Sequence, residues 1–271
     1  MDTFQAIIIA IVEGLTEFLP ISSTAHMKFT HPLLGLTPTP FTDMFEIVIQ
    51  LAAILAVVIL YWKKFIPTAD TFKAKMNFYL KLIIAVIPSL IAGYLLKSYI
   101  DAALGNLTFI ACVMIGGGVV LLFIDNVFKN PTIDDEAKVS NKSAFIIGCG
   151  QILSILLPGL SRSAATIITG MSQKLTRSAA AEFSFFLAVP TMFAASAKSF
   201  LDTYQEHPDA LAADNLYLLA IGSAVAFIVS ILAIRFFINF LKKYGFRFWG
   251  FYRIITGSIM LFLIWKGMVG K

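Results

Sequence analysis

Glu13-Gly14-Leu15-Thr16-Glu17-Phe18-Leu19-Pro20-Ile21-Ser22-Ser23-Thr24-Ala25-His26 interrupts an apolar run with carboxylates, hydroxyls and an imidazole. A second interruption, Pro158-Gly159-Leu160-Ser161-Arg162-Ser163 running to Thr166, resembles the first. Ionisable groups set in apolar surroundings are costly, and in membrane proteins they mark functional sites. The surroundings are apolar indeed: of 271 residues 58% are hydrophobic and 14% charged, and mean hydropathy is +0.84. A soluble domain carries about 25% charge and roughly 45–50% apolar residues, so the composition excludes one and predicts an integral membrane protein. Six stretches, about 44–62, 80–96, 107–124, 179–199, 216–234 and 247–265, have the length and hydropathy of spanning helices.

The two polar segments lie on a repeat. A shift of 138 residues sets Ala6, Ile8, Ile9, Leu15, Leu19 and Pro20 on identical residues at Ala144, Ile146, Ile147, Leu153, Leu157 and Pro158. One extra residue then brings Ser22 onto Ser161 and Ala25 onto Ala164, and farther on Glu46 falls on Glu182. The expected fold is therefore all-α and membrane-embedded, in two halves, 1–130 and 131–271, each with one polar-interrupted segment and three spans. An odd number of spans per half makes the second copy enter from the opposite side, which is an inverted-topology repeat with its site near the midplane. Placing the loops 62–81, 125–143, 172–180 and 235–252 in the cytoplasm puts 14 of the 21 basic residues there, so the positive-inside rule predicts both termini outside. The net charge of +5 follows from that placement and implies no nucleic-acid partner. Met1-Asp2-Thr3-Phe4-Gln5 lacks the basic start of a cleaved leader. Cys112 and Cys149 read as small buried hydrophobes, and His31 and His207, each beside a proline, as surface-loop residues.

The polar segments are too short to cross. A helix over 4–19 extends about 24 Å against a hydrocarbon core of roughly 30 Å. Pro20 and Pro158 disfavour helix at the residues before them, and the serines that follow are good N-caps for a returning helix. Each segment is thus expected to form a re-entrant helix-loop-helix, over about 4–35 and 143–175. Irregular backbone at that depth is tolerated only inside protein or against a hydrated cavity, so the two tips should meet in one pocket.

Glu13 and Glu17 are one helical turn apart on one face. Such a pair suits a hard cation or shares a proton. Gln151 and Ile155 take their places in the second copy, which makes the duplicated site acidic on one side only. Arg162 is the natural counter-charge, for a phosphate through its planar fork or for the carboxylates. Ser161, Ser163 and Thr166 add hydroxyls beside a helix N-terminus that suits an anion. Ser22, Ser23 and Thr24 either cap the first returning helix or face a substrate, and His26 shares a helical face with them, where an imidazole can move a proton. Glu46, Gln50 and Glu182 are further intramembrane polar groups that a surrounding shell would use.

With those residues in view, the whole chain resembles the bacitracin-resistance family of undecaprenyl-diphosphate phosphatases. The motifs are Glu13, Glu17-Phe18-Leu19-Pro20 and Ser22-Ser23-Thr24-Ala25-His26, then Pro158-Gly159-Leu160-Ser161-Arg162-Ser163 with Thr166. Ala25 and Ala164 depart from the glycines usual in that family, which puts in question any role needing a glycine-only backbone there. The resemblance implies metal-dependent removal of the terminal phosphate of a C55 polyprenyl diphosphate at the outer face of the bacterial plasma membrane. That activity recycles the lipid carrier of peptidoglycan synthesis and confers bacitracin resistance. A divalent ion, Mg or Ca, would sit on Glu13 and Glu17. Ser23 or a water would attack, with His26 or Glu17 moving the proton, and Arg162 meeting the phosphate charge together with Ser22, Thr24, Ser161, Ser163 and Thr166. The expected partners are the polyprenyl diphosphate and the bilayer; a homodimer stays open. The rival reading is a polyprenyl-phosphate flippase or anion transporter using the same pocket.

Overall fold

The computed structural model describes residues 1–269. The helices, in chain order, are α1 (Thr3–Thr16), α2 (Ser23–Leu33), α3 (Pro40–Leu60), α4 (Trp62–Phe65), α5 (Phe72–Leu95), α6 (Lys97–Leu104), α7 (Leu107–Val127), α8 (Asn141–Leu156), α9 (Arg162–Ser172), α10 (Arg177–Glu206), α11 (Ala213–Tyr244) and α12 (Arg247–Trp265). Six of them, α3, α5, α7, α10, α11 and α12, are long and apolar enough to cross a membrane, and they fall on the six stretches read from hydropathy. The protein is a multi-pass membrane protein. Its outward faces agree: Ile83, Ile87 and Ile91 on α5, Ile228 and Leu232 on α11, and Ile255, Ile259 and Phe262 on α12 are all exposed at helical spacing. Stripes of this size are unfavourable in water and cost nothing against lipid tails. Cys112 belongs to such a face. It is exposed and Cys149 is partly so, which corrects the expectation that both are buried; a hydrophobe in a membrane helix has no reason to prefer protein over lipid.

The four remaining long helices make two hairpins, α1 with α2 and α8 with α9. With 14 and 16 residues, α1 and α8 extend only ~21–24 Å. Their ends are built alike. Helix α1 stops at Thr16, a turn before the predicted end at 19, so that Glu17 to Ser22 are free to form the tip ahead of α2. Ser22 and Ser161 are the N-caps of the returning helices, and each hydroxyl accepts from a backbone N–H three residues on, at Ala25 and Ala164, at 3.3 Å. Both serines take positive φ, 71° and 77°, a conformation that disfavours side chains and that the cap bonds offset. The strained positions are thus the serines. Ala25 and Ala164 lie inside helices, buried and without positive φ, so the alanines stand where no glycine conformation is required.

Packing crosses the chain. Helix α1 lies on α11 and α8 on α5, while α3 pairs with α10 and α7 with α12. The two tips touch: Ser161 and Ser163 donate through Oγ to the Leu19 carbonyl at 3.4 and 2.9 Å. Gly159, at φ +98°, backs onto the Ile110 carbonyl of α7, where a Cβ would collide. Gly159→Ala combines that collision with about 1–3 kcal/mol of backbone strain, and a lower unfolding midpoint in detergent is the expected result. An unchanged midpoint would show that the tip adapts.

Candidate active site

The first tip carries Glu17 at the C-cap of α1 and Ser23 in the first turn of α2. The Ser23 hydroxyl donates to Glu17 Oε2 at 2.6 Å. The other oxygen, Oε1, accepts from Arg162 Nη2 at 2.6 Å, across from the second tip. One buried carboxylate therefore joins a hydroxyl from the first half to a guanidinium from the second. Arg162 is held further by a bond from Nη1 to the Ser184 carbonyl of α10 at 3.0 Å, and its Nε is buried without a partner. The two readings of Arg162, ion pair and anion ligand, are compatible in this geometry, since Nε–H and one N–H on each Nη make no bond within the protein.

These groups wall a cavity of about 240 Å³ whose lining includes Glu17, Ser22, Ser23, Thr24, Gln50, Ser161 and Arg162. It adjoins a groove of about 1030 Å³ that shares Gly93, Ile100, Ser154, Ile155, Arg162 and Met192 with it. The groove runs past Leu90 and Tyr94 toward Lys97, Asp101, Lys198, Asp202 and Glu206.

Glu13 is fully buried, one turn before Glu17, and neither of its carboxylate oxygens has a hydrogen-bond partner. An ionised carboxylate so placed needs a cation or a proton. Its counterpart Gln151 is neutral and donates from Nε2 to Ser89 Oγ at 2.7 Å. No group of three or more His, Cys, Asp or Glu side chains is arranged to hold a metal among the described residues. A cation here would rest on Glu13 and Glu17 and complete its shell from hydroxyls, water or phosphate, all hard oxygen donors that suit Mg or Ca.

Other expected site residues lie farther back. The His26 imidazole donates from Nδ1 to the Ser22 carbonyl at 2.7 Å, and its Nε2 pairs with the Tyr252 hydroxyl at 2.8 Å. It is not among the residues that line the cavity. The Ser163 hydroxyl is taken by Leu19, as above, and Thr166 Oγ1 by Ser184 Oγ at 2.6 Å, so both act within the protein. His31, read as a surface residue, is buried in α2 with Nε2 at 2.9 Å from Glu46 Oε1, while Lys28 reaches the other oxygen at 3.3 Å. The correction has a simple cause: α2 runs through Pro32 before it ends, so the proline does not place His31 in a loop. Gln50 reaches the cavity, whereas Glu182 sits beside Glu136 and Lys64. Ser184, Tyr252 and Arg253 are absent from the sequence reading because they lie on spanning helices outside the two polar segments.

Fold and site together define a polytopic membrane protein with a buried acid–hydroxyl–guanidinium cluster set between two helical hairpins. The chain belongs to the family described as bacitracin resistance protein BacA, whose model matches residues 6–259. It is 43% identical over 279 residues to an undecaprenyl-diphosphatase of Porphyromonas gingivalis, covering 99% of each chain. It is 47% identical over 264 residues to one of Flavobacterium johnsoniae, with 97% of this chain and 96% of that one covered. Bdellovibrio bacteriovorus has one that is 41% identical over 272 residues, with 98% of each covered.

Proposed function

We propose that this chain hydrolyses undecaprenyl diphosphate to undecaprenyl phosphate and inorganic phosphate, with Ser23 as nucleophile and Glu17 as its base. The observation that carries the reading is the double engagement of Glu17, whose two oxygens hold the Ser23 hydroxyl and the Arg162 guanidinium at the cavity wall. As Ser23 Oγ attacks the terminal phosphorus, its proton passes to Glu17 Oε2 and the bond to the bridging oxygen breaks, releasing undecaprenyl phosphate. Water then cleaves the phosphoserine. Charge on the phosphoryl oxygens is met by Arg162, which keeps unbonded N–H groups beside its bonds to Glu17 and Ser184, and positioning with electrostatics supplies most of the acceleration. His26, with both ring nitrogens engaged, steadies the Ser22 turn. Glu13 and Glu17 would hold the divalent cation, which when bound neutralises diphosphate charge. The headgroup fits the smaller cavity, and the prenyl chain the larger groove beside it.

The pairing of α1 with α11 and of α8 with α5 supports an inverted repeat, since a two-fold axis in the membrane plane that exchanges 1–130 with 131–271 produces that pattern. In this arrangement both hairpins are re-entrant. The groove reaches Lys97, Lys198, Asp202 and Glu206, which the distribution of basic residues assigns to the outer face, and this supports a site open to the outside with both termini there.

Purified protein in detergent should release phosphate from a short polyprenyl diphosphate and lose that activity with chelator; a carrier would release none. Acid quenching during turnover of substrate labelled in the terminal phosphate should trap label on Ser23 and none in Ser23→Ala. Label-free protein that still turns over would favour direct attack by water.

A further inference from the structure

Among the described residues Arg253, on α12, is the largest fully buried side chain, and it has no acidic partner there. A guanidinium has five N–H donors, and here each meets a backbone carbonyl. Nη1 donates to Pro20 at 3.0 Å and to Leu160 at 2.6 Å, and Nη2 to Gly159 at 2.9 Å and Val113 at 3.4 Å. Nε donates to Met114 at 3.1 Å. Pro20 belongs to the first tip, Gly159 and Leu160 to the second, and the other two to α7. Irregular tips leave carbonyls that no helix satisfies, and buried carbonyls without partners are costly. One rigid, planar group satisfies three of them from both tips at once. The preceding residue adds a link, because the Tyr252 hydroxyl reaches the first tip through His26 and the Ser22 carbonyl.

We propose that Arg253 is a positioning residue of the phosphatase reaction: it fixes the two tips relative to each other, and so sets the alignment of Ser23, Glu17 and Arg162. This rests on the reading above. Leu160 shows how the effect reaches the site. With its carbonyl turned onto Arg253, the Ser161 N–H of the same planar trans peptide points the opposite way, and Ser161 lines the cavity. Charge alone does not suffice for this role. Lysine keeps the charge but has three donors on one atom, and cannot span carbonyls on three segments.

Arg253→Lys is the test, with phosphate release from a short polyprenyl diphosphate as the readout. Misalignment of reacting groups by about 1 Å costs on the order of 100-fold, so kcat should fall by that factor. KM should stay within about threefold, because the groups that bind substrate are retained. A role in overall folding alone would lower the amount of active protein without coupling to Arg162. Positioning predicts that Arg253→Lys adds less than about threefold to the loss already caused by Arg162→Lys, since both act through one alignment. Unchanged kcat, a change in KM alone, or losses that multiply would each overturn the proposal. Should Arg253→Lys fail to fold, Gly117→Ala decides, because its Cβ would come within 2.9 Å of the guanidinium carbon and displace the fork while the arginine itself is retained. The same kcat-selective loss supports positioning, and wild-type kinetics refute it. Wild-type protein that releases no phosphate would instead remove the phosphatase reading beneath it.

Discussion

Arg162→Lys is expected to lower kcat/KM for a polyprenyl diphosphate by about 100-fold to 1,000-fold, the range found when one preorganised donor to a developing anion is lost. Three donor positions on Arg162 do separate things. Nη2 holds Glu17 at 2.6 Å, Nη1 holds the Ser184 carbonyl at 3.0 Å, and Nε is free and buried. A lysine ammonium is a single point that can keep the contact with Glu17 but leaves the Ser184 carbonyl and the phosphate without the fork. The positive charge survives, so the fold should survive: a detergent-solubilised variant that melts near the wild-type midpoint and turns over at a small fraction of its rate is the predicted pair of readings. Arg162→Gln removes the charge as well. Glu17 then stays buried without a counter-ion, and a stability loss of about 3–5 kcal/mol should accompany the loss of turnover. Near-normal rates in Arg162→Lys would remove the guanidinium from the reaction.

Glu13→Gln should move activity and stability in opposite directions. The Glu13 carboxylate is fully buried with both oxygens unpartnered, so in the absence of a cation it is held at a cost that a neutral amide avoids. In chelator, the variant should unfold at a higher temperature than wild type. Metal should reverse the order. Magnesium or calcium binding to the folded state raises the wild-type midpoint by mass action, and the variant should show little of that rise. Turnover at saturating metal should fall by roughly 100-fold, the equivalent of about 3 kcal/mol of lost charge stabilisation at the phosphoryl oxygens. The thermal titration reads the site independently of catalysis. A variant that still gains stability from metal, or whose stability in chelator drops, would move the cation elsewhere.

Much of the architecture was legible because hydrocarbon imposes its demands residue by residue. The six spans follow from length and hydropathy alone, and the hairpins from helices too short to cross, prolines at the tips and serines that cap. Ser22 and Ser161 were recognisable as caps; their positive φ was not, since hydroxyl caps ordinarily take extended backbone. The misreadings share a cause. His31 is read from the proline beside it and Cys112 from the apolar stretch around it, and neither signal says which face of a helix meets protein and which meets lipid.

By itself, the sequence determined that this is a membrane protein of six spans and two polar hairpins, and which residues bring charge into it. Only the tertiary structure decided which of those residues share a wall. Glu17 meets Arg162 across 145 positions of chain, and Arg253 meets Pro20 across 233. The physical reason is that insertion into hydrocarbon sums over local segments, whereas a site depends on how separate helices pack, and that packing is fixed by contacts no local pattern encodes.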